Sequence, residues 1–335
     1  MNIDNKLNSL IEKVQSQADV PKPISDTTIF SEYREGVVVI SEKKSDEASS
    51  SKPARYECVM LEMLYQFGYL LSMQLYSCTK SKLQYRNLKK HRFKESLLKL
   101  VKSGYVTSFV LKNSENESIC LYMLTLKGLE YCETRYAPIY AVLWHKMTKE
   151  LAAANENAVP SSIIEKLILN QFIVSCIVKT NVVNYMIGIE LSRLELSDKL
   201  KMDFLPALIR ISFPKGSEVL GLKHRNGTQS NRTLTVFPLV LGNELLDQSC
   251  IMLLKQFFSI NAYARYMSIR RYFTIVIVPS VATALHLHQM LLELQDTFVL
   301  SHFYLLDTAL TYSPLNNLFA IEDGCIKQFS LLPEQ

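Results

Sequence analysis

From Tyr56 onward the apolar positions fall into helical register. Val59, Met60, Met63, Leu64 and Phe67 recur at three- and four-residue intervals and predict a helix that Gly68 ends. Ser72 caps a short second helix, SMQLYS. A third helix is predicted from about Arg86 to Ser103, with Phe93, Leu97, Leu100 and Val101 on its apolar face. It stops at Gly104, where a left-handed cap costs least. The period then drops to two. YVTSFVLK and ICLYMLT read as strands joined by NSENES, a β-hairpin. LKGLEYCETRYAPIYAVLWHKM returns to helical spacing. Helix, helix, helix, hairpin, helix is the order of a winged helix-turn-helix.

The flanks read differently. Ile3, Leu7, Leu10, Ile11 and Val14 form a short amphipathic helix that needs a partner surface to be stable. Residues 18–55, with Pro21, Pro23, Pro53 and a serine run, read mostly as a flexible tether. Within them VVVI (37–40) is an isolated strand or a docking segment. Residues 150–162 read as a domain boundary. Beyond it the pattern predicts a helix (IIEKLILNQFIVSCIVKT), three strands (NYMIGIEL, FLPALIRISF, TLTVFPLVL) and a helix over 244–267. The strand FTIVIV, the helix VATALHLHQMLLELQ and the strand FVLSHFYLL follow. The last 25 residues carry no clear period. The fold expected is α+β: a flexible segment over 1–55, a winged helix-turn-helix over 56–150, and an α/β domain over 160–335.

Composition adds little to that outline. A chain of 335 residues with 48% hydrophobic and 21% charged residues can build two ordinary globular domains. The first residues, MNIDNKLNSLIEK, carry no basic-then-apolar leader. The charge-free run from Tyr272 to Leu292 is long enough to span a bilayer. Pro279, His286, His288 and Gln289 make it a buried strand followed by a helix instead, so no membrane contact is expected. Seven scattered cysteines without a C-x-x-C pair read as free thiols of a cytoplasmic protein.

The charge is unevenly distributed along the chain. Residues 79–104 hold nine basic side chains and one acid, Glu95. This window carries +8 and leaves −3 for the remainder of a chain whose net charge is +5. A focused basic patch on an otherwise slightly acidic chain is the footprint of a polyanion partner. In a helix-turn-helix the exposed side of the third helix enters the major groove. Opposite its apolar face lie His91, Arg92, Glu95, Lys99 and Lys102. Arg92 is the candidate base reader, because a guanidinium grips guanine bidentately. Lys80, Lys82, Arg86, Lys89, Lys90 and Lys94 complete the expected DNA-binding set, mostly as phosphate contacts. The wing tip carries Glu115 and Glu117, which phosphates would repel.

Tyr69-Leu70 after the first helix, LSMQL (71–75), L-x-x-L-x-x-x-G-Y-V from Leu97 to Val106 and Y-x-L-T-x-K-G from Tyr122 to Gly128 together resemble the replication-relaxation family of plasmids and conjugative elements. The resemblance implies a winged helix followed by an α/β domain like a degenerate restriction endonuclease. It also implies a role in replication, transfer or transcriptional control.

A nuclease of that fold holds a divalent metal with strand-end carboxylates. Asp203 and Glu244 are the nearest candidates, yet no E-x-K follows on the third strand. His286 and His288 point about 200° apart on a helix and cannot share a metal. His145 and His302 read as isolated, and phosphate-loop, dinucleotide and hydrolase motifs are missing. The expectation is a non-enzymatic binder of double-stranded DNA without cofactor or metal. Its α/β domain would form a homodimer or recruit a protein partner. A diverged nuclease and a subunit whose winged helix binds protein are the alternatives.

Overall fold

The computed structural model describes residues 37–40, 52–83, 88–136, 161–180, 182–191, 204–213, 218–219, 222–223, 233–241, 246–294, 302–311, 313–322 and 324–331. The chain is mixed α and β and divides into two compact units, Ile29–Val178 and one built from Lys179–Gln335.

The first unit follows the pattern read from the sequence. Helix α1 (Arg55–Phe67) buries Met60, Leu61, Met63, Leu64 and Phe67 and ends at Gly68, φ 82°, whose N–H donates to the Leu64 carbonyl at 2.9 Å. Strand β2 (Tyr69–Leu71) leads into helix α2 (Ser72–Leu83). That helix is twice the predicted length, because Leu75, Cys78 and Thr79 continue one buried stripe. Lys80 and Lys82 therefore sit on a helix and not in a linker. Helix α3 (Lys90–Lys102) precedes the hairpin of β3 (Val106–Lys112) and β4 (Ser118–Leu124), and α4 (Leu126–Glu133) closes the series. Strand β1 (Val37–Ile40) is not isolated. It pairs antiparallel with β3, Val37 opposite Lys112, and the sheet order is β1-β3-β4-β2.

Helix α5 (Ser161–Lys179) was expected to open the second domain. Its hydrogen bonds run to the first unit. Asn170, fully buried, donates from Nδ2 to the Tyr69 carbonyl at 2.8 Å, and the Tyr69 hydroxyl donates to the Ile163 carbonyl at 3.1 Å. Gln74 and Ser81 of α2 add bonds to Gln171 and Ile177. A helix apolar on most sides must be covered on most sides, and sequence order does not say by what.

The second unit is a seven-stranded sheet, β13-β12-β11-β10-β9-β6-β5. It comprises β5 (Val182–Glu190), β6 (Phe204–Ser212), β9 (Thr233–Val240), β10 (Tyr272–Val278), β11 (His302–Leu306), β12 (Leu318–Glu322) and β13 (Cys325–Phe329). A two-residue ladder, β7 (Glu218–Val219) with β8 (Leu222–Lys223), lies apart from it. The centre, β9-β10-β11, is parallel and the outer pairs are antiparallel. Helices α6 (Leu246–Tyr266) and α7 (Val281–Leu294) make the two parallel crossovers, and their apolar sides join one core with Phe237, Leu239, Val276, Val278 and Tyr304. FTIVIV is buried on both faces, as a central parallel strand must be. Pro238 is tolerated in β9 because the register to β6 ends two residues earlier, at Val236. The segment without a clear period forms the β12–β13 hairpin. The N-terminal amphipathic helix, Arg86, His145, Asp203 and Glu244 lie outside the described residues.

Candidate nucleic-acid interface

Helix α3 is fixed to the first unit by four buried side chains, Phe93, Ser96, Leu97 and Leu100. Phe93 meets the Tyr76 ring edge-on at 5.3 Å, and the Tyr76 hydroxyl donates to the Leu88 carbonyl at 2.7 Å, just before the helix starts. Ser96 and the Tyr56 hydroxyl are hydrogen-bonded. At the other end Gly104, φ 72°, reverses the chain; its N–H reaches the Val101 carbonyl and that of Tyr105 the Leu100 carbonyl, both at 3.0 Å.

The Y-x-L-T-x-K-G motif is the clamp on this end. Thr125 donates to the Gly104 carbonyl at 2.6 Å and caps α4 by accepting the Gly128 N–H at 3.2 Å. Lys127 donates to the Ser103 carbonyl at 2.8 Å and lies 4.5 Å over the Tyr105 ring. Gly128 has no side chain because a Cβ there would stand 2.1 Å from the Tyr105 carbonyl oxygen. The motif residues hold α3 in place and leave its outer face open.

That outer face carries the basic side chains. Lys89, Lys90, His91, Arg92, Lys94 and Lys102 are exposed. At about 100° per residue, the direction opposite the buried stripe belongs to His91, Glu95, Leu98 and Lys102. Arg92 flanks it on one side and Lys90 and Lys94 on the other. The two remaining lysines of the predicted set that pair with acids do so inside the unit. Lys82 is ion-paired with Glu62. Lys99 lies 3.2 Å from the carboxylate of Glu57, which is buried and also accepts the Ala54 N–H at 2.7 Å. Lys80 is half-buried, its ammonium 5.9 Å from the Tyr76 ring centre.

The hairpin tip is acidic and is tied by the Asn113 side chain. Asn113 accepts the N–H groups of Glu115 and Glu117 at 3.1 and 2.8 Å, and both carboxylates are exposed.

In the second unit the histidines are arranged differently from the sequence expectation. His302 is not isolated. Its Nε2 is 3.1 Å from the Tyr304 hydroxyl, which lies 3.4 Å from His288 Nδ1. Burial first, and the neighbouring His302 second, bring His288 down to about 4. Burial pushes the Tyr304 phenol up. Among the described residues no group of three or more His, Cys, Asp or Glu is placed to hold a metal ion, and no helix is long and apolar enough to cross a membrane. Comparison of the chain with family models, with curated proteins and with solved structures finds no match.

Proposed function

We propose that the chain is a non-enzymatic protein that binds double-stranded DNA, with its first unit acting as a winged helix and α3 as the element that enters the major groove. The observation that carries this reading is the outer face of α3. Lys89, Lys90, Arg92, Lys94 and Lys102 are exposed, and none has an ion pair among the described residues. A dense cationic face with no internal partner is suited to phosphates. Lys82 and Lys99 are taken up by internal carboxylates and Arg92 is assigned to a base edge, which leaves four phosphate contacts, Lys89, Lys90, Lys94 and Lys102. The acidic hairpin tip keeps the wing off the phosphate backbone and leaves recognition to the helix. The α/β unit resembles a degenerate nuclease in its run of elements and is read as a dimerisation or partner-recruiting unit. A role in replication, transfer or transcriptional control of a mobile element follows from the same family resemblance.

Fluorescence-anisotropy titration of a duplex pool at several salt concentrations tests this. Four phosphate contacts predict a log–log slope of about −3.6. A variant with Lys89, Lys90 and Arg92 all changed to alanine should fall to about −2. Weak, salt-independent binding by both proteins would refute the DNA reading. That result would favour a protein-binding role, for which the half-exposed Leu98 in the middle of the same face is the anchor.

A further inference from the structure

We propose that the second unit contains a phosphate-binding site of its own, in a cleft of about 450 Å³ at the edge of the sheet where β9 and β10 begin. Arg210, Arg270 and Arg271 line it, together with Thr233, Thr235 and Ser268. This site stands independently of whether α3 binds DNA.

The fold assembles the cleft from distant segments. The antiparallel register of β6 and β9 sets Arg210 opposite Thr235. The parallel register of β9 and β10 sets Thr235 opposite Tyr272, next to Arg271, whose carbonyl accepts the Thr235 N–H at 3.2 Å. Helix α6 ends in a tight reversal, with the Met267 N–H on the Tyr263 carbonyl at 2.9 Å and the Ile269 N–H on the Ala264 carbonyl at 2.8 Å. Ser268 takes φ 52° at the turn. The reversal returns Arg270 and Arg271 to the start of the sheet, beside Arg210.

The chemistry selects an anion. Three guanidinium-bearing side chains converge on one cleft, and the described residues that line it include no carboxylate. Guanidiniums present paired N–H donors that match two oxygens of a phosphate, and the hydroxyls supply further donors. The cleft falls within the range of about 300–1,000 Å³ typical of small-molecule sites. That leaves room for a group attached to the phosphate. The ligand class is therefore a phosphate carried on a larger body, either a free nucleotide-sized phosphate ester or a phosphate of a nucleic acid strand.

The test is isothermal titration calorimetry of the full chain with adenosine monophosphate. Adenosine is the uncharged control, and sodium chloride is matched for ionic strength. The wild type should bind the phosphate ester and not the nucleoside. Each of Arg210→Gln, Arg270→Gln and Arg271→Gln should weaken binding by about tenfold or more, the loss of a charge-assisted pair. All three arginines are exposed, so the fold should survive, as circular dichroism would report. Arg270→Lys keeps the charge without the paired donors and should fall between wild type and Arg270→Gln. The same variants titrated with duplex DNA identify the source. Parallel loss of duplex affinity makes the occupant a strand phosphate, and unchanged duplex affinity makes it a free ester. No binding of adenosine monophosphate, or equal binding by wild type and all Gln variants, would overturn the site.

Discussion

Lys99 and Lys102 lie three residues apart on α3, and their substitutions should have opposite consequences. Lys99 is 46% exposed and pairs with Glu57, whose carboxylate is 2% exposed. Lys99→Ala leaves that carboxylate with the Ala54 N–H at 2.7 Å as its remaining described partner. Removing one member of a fully buried pair costs about 3–5 kcal/mol. Water reaches the lysine end of this pair, and screening there reduces the expected cost to about 1–2 kcal/mol. With a urea dependence of about 2 kcal/mol per molar, the midpoint for the first unit should drop by about 0.5–1 M. Lys102 is exposed and has no ion pair among the described residues, so Lys102→Ala should change stability by less than about 0.5 kcal/mol. Duplex binding should respond the other way round. Lys102→Ala should reduce the salt slope by about 0.9, and Lys99→Ala should leave it unchanged when measured on folded protein. Adding Glu57→Gln to Lys99→Ala removes the stranded charge, keeps an acceptor for the Ala54 N–H, and should recover part of the lost midpoint. A Lys99→Ala protein that keeps the wild-type urea midpoint while lowering the salt slope as much as Lys102→Ala does would refute the division of roles between the two lysines.

Three further predictions follow from local geometry. Gly128→Ala should destabilise the first unit by about 2 kcal/mol or more, because its Cβ meets backbone at 2.1 Å; Gly104→Ala, with open space around it and φ 72°, should cost about 1 kcal/mol. Thermal melts of the two variants should rank them in that order. His288 has a folded value of about 4 against an ordinary 6.5, so the unfolded chain binds more protons between those values and stability falls as pH drops through that window. At about 1.4 kcal/mol per pH unit, discounted for the part of the ring that water reaches, unfolding free energies from urea titrations at pH 7 and pH 4.5 should differ by about 2 kcal/mol, and His288→Gln should flatten the difference. The groups facing that ring are His302 and Tyr304 of β11. Native thiol titration should modify Cys120 and Cys325 quickly and spare Cys78 and Cys132, whose thiols burial raises to about 12, together with buried Cys176 and Cys250.

The features legible along the chain were local ones. The 3.6 and 2 periods located α1, α3, the β3–β4 hairpin and, in the second unit, β5, β6, β9, α6, β10, α7 and β11, because each of these must show one apolar face or be apolar throughout; the short β7–β8 ladder carried no such signal. Gly68 and Gly104 marked helix ends because both take positive φ, which costs a side-chain-bearing residue and not glycine. The charge window 79–104 needed no structure to be seen. Tertiary packing decided the rest. It extended α2 through Cys78 and Thr79, because helix length depends on what surface is there to bury a stripe. It gave α5 to the first unit through Asn170 and Tyr69, and made VVVI an edge strand of β3. It also divided the basic set. Lys99 is as basic as Lys102 in the sequence, but only the fold puts Glu57 within 3.2 Å of it. Arg210 and Arg271, about sixty residues apart in the chain, share a cleft because two strand registers converge at Thr235. No sequence period encodes such a convergence, since it depends on which strands become neighbours.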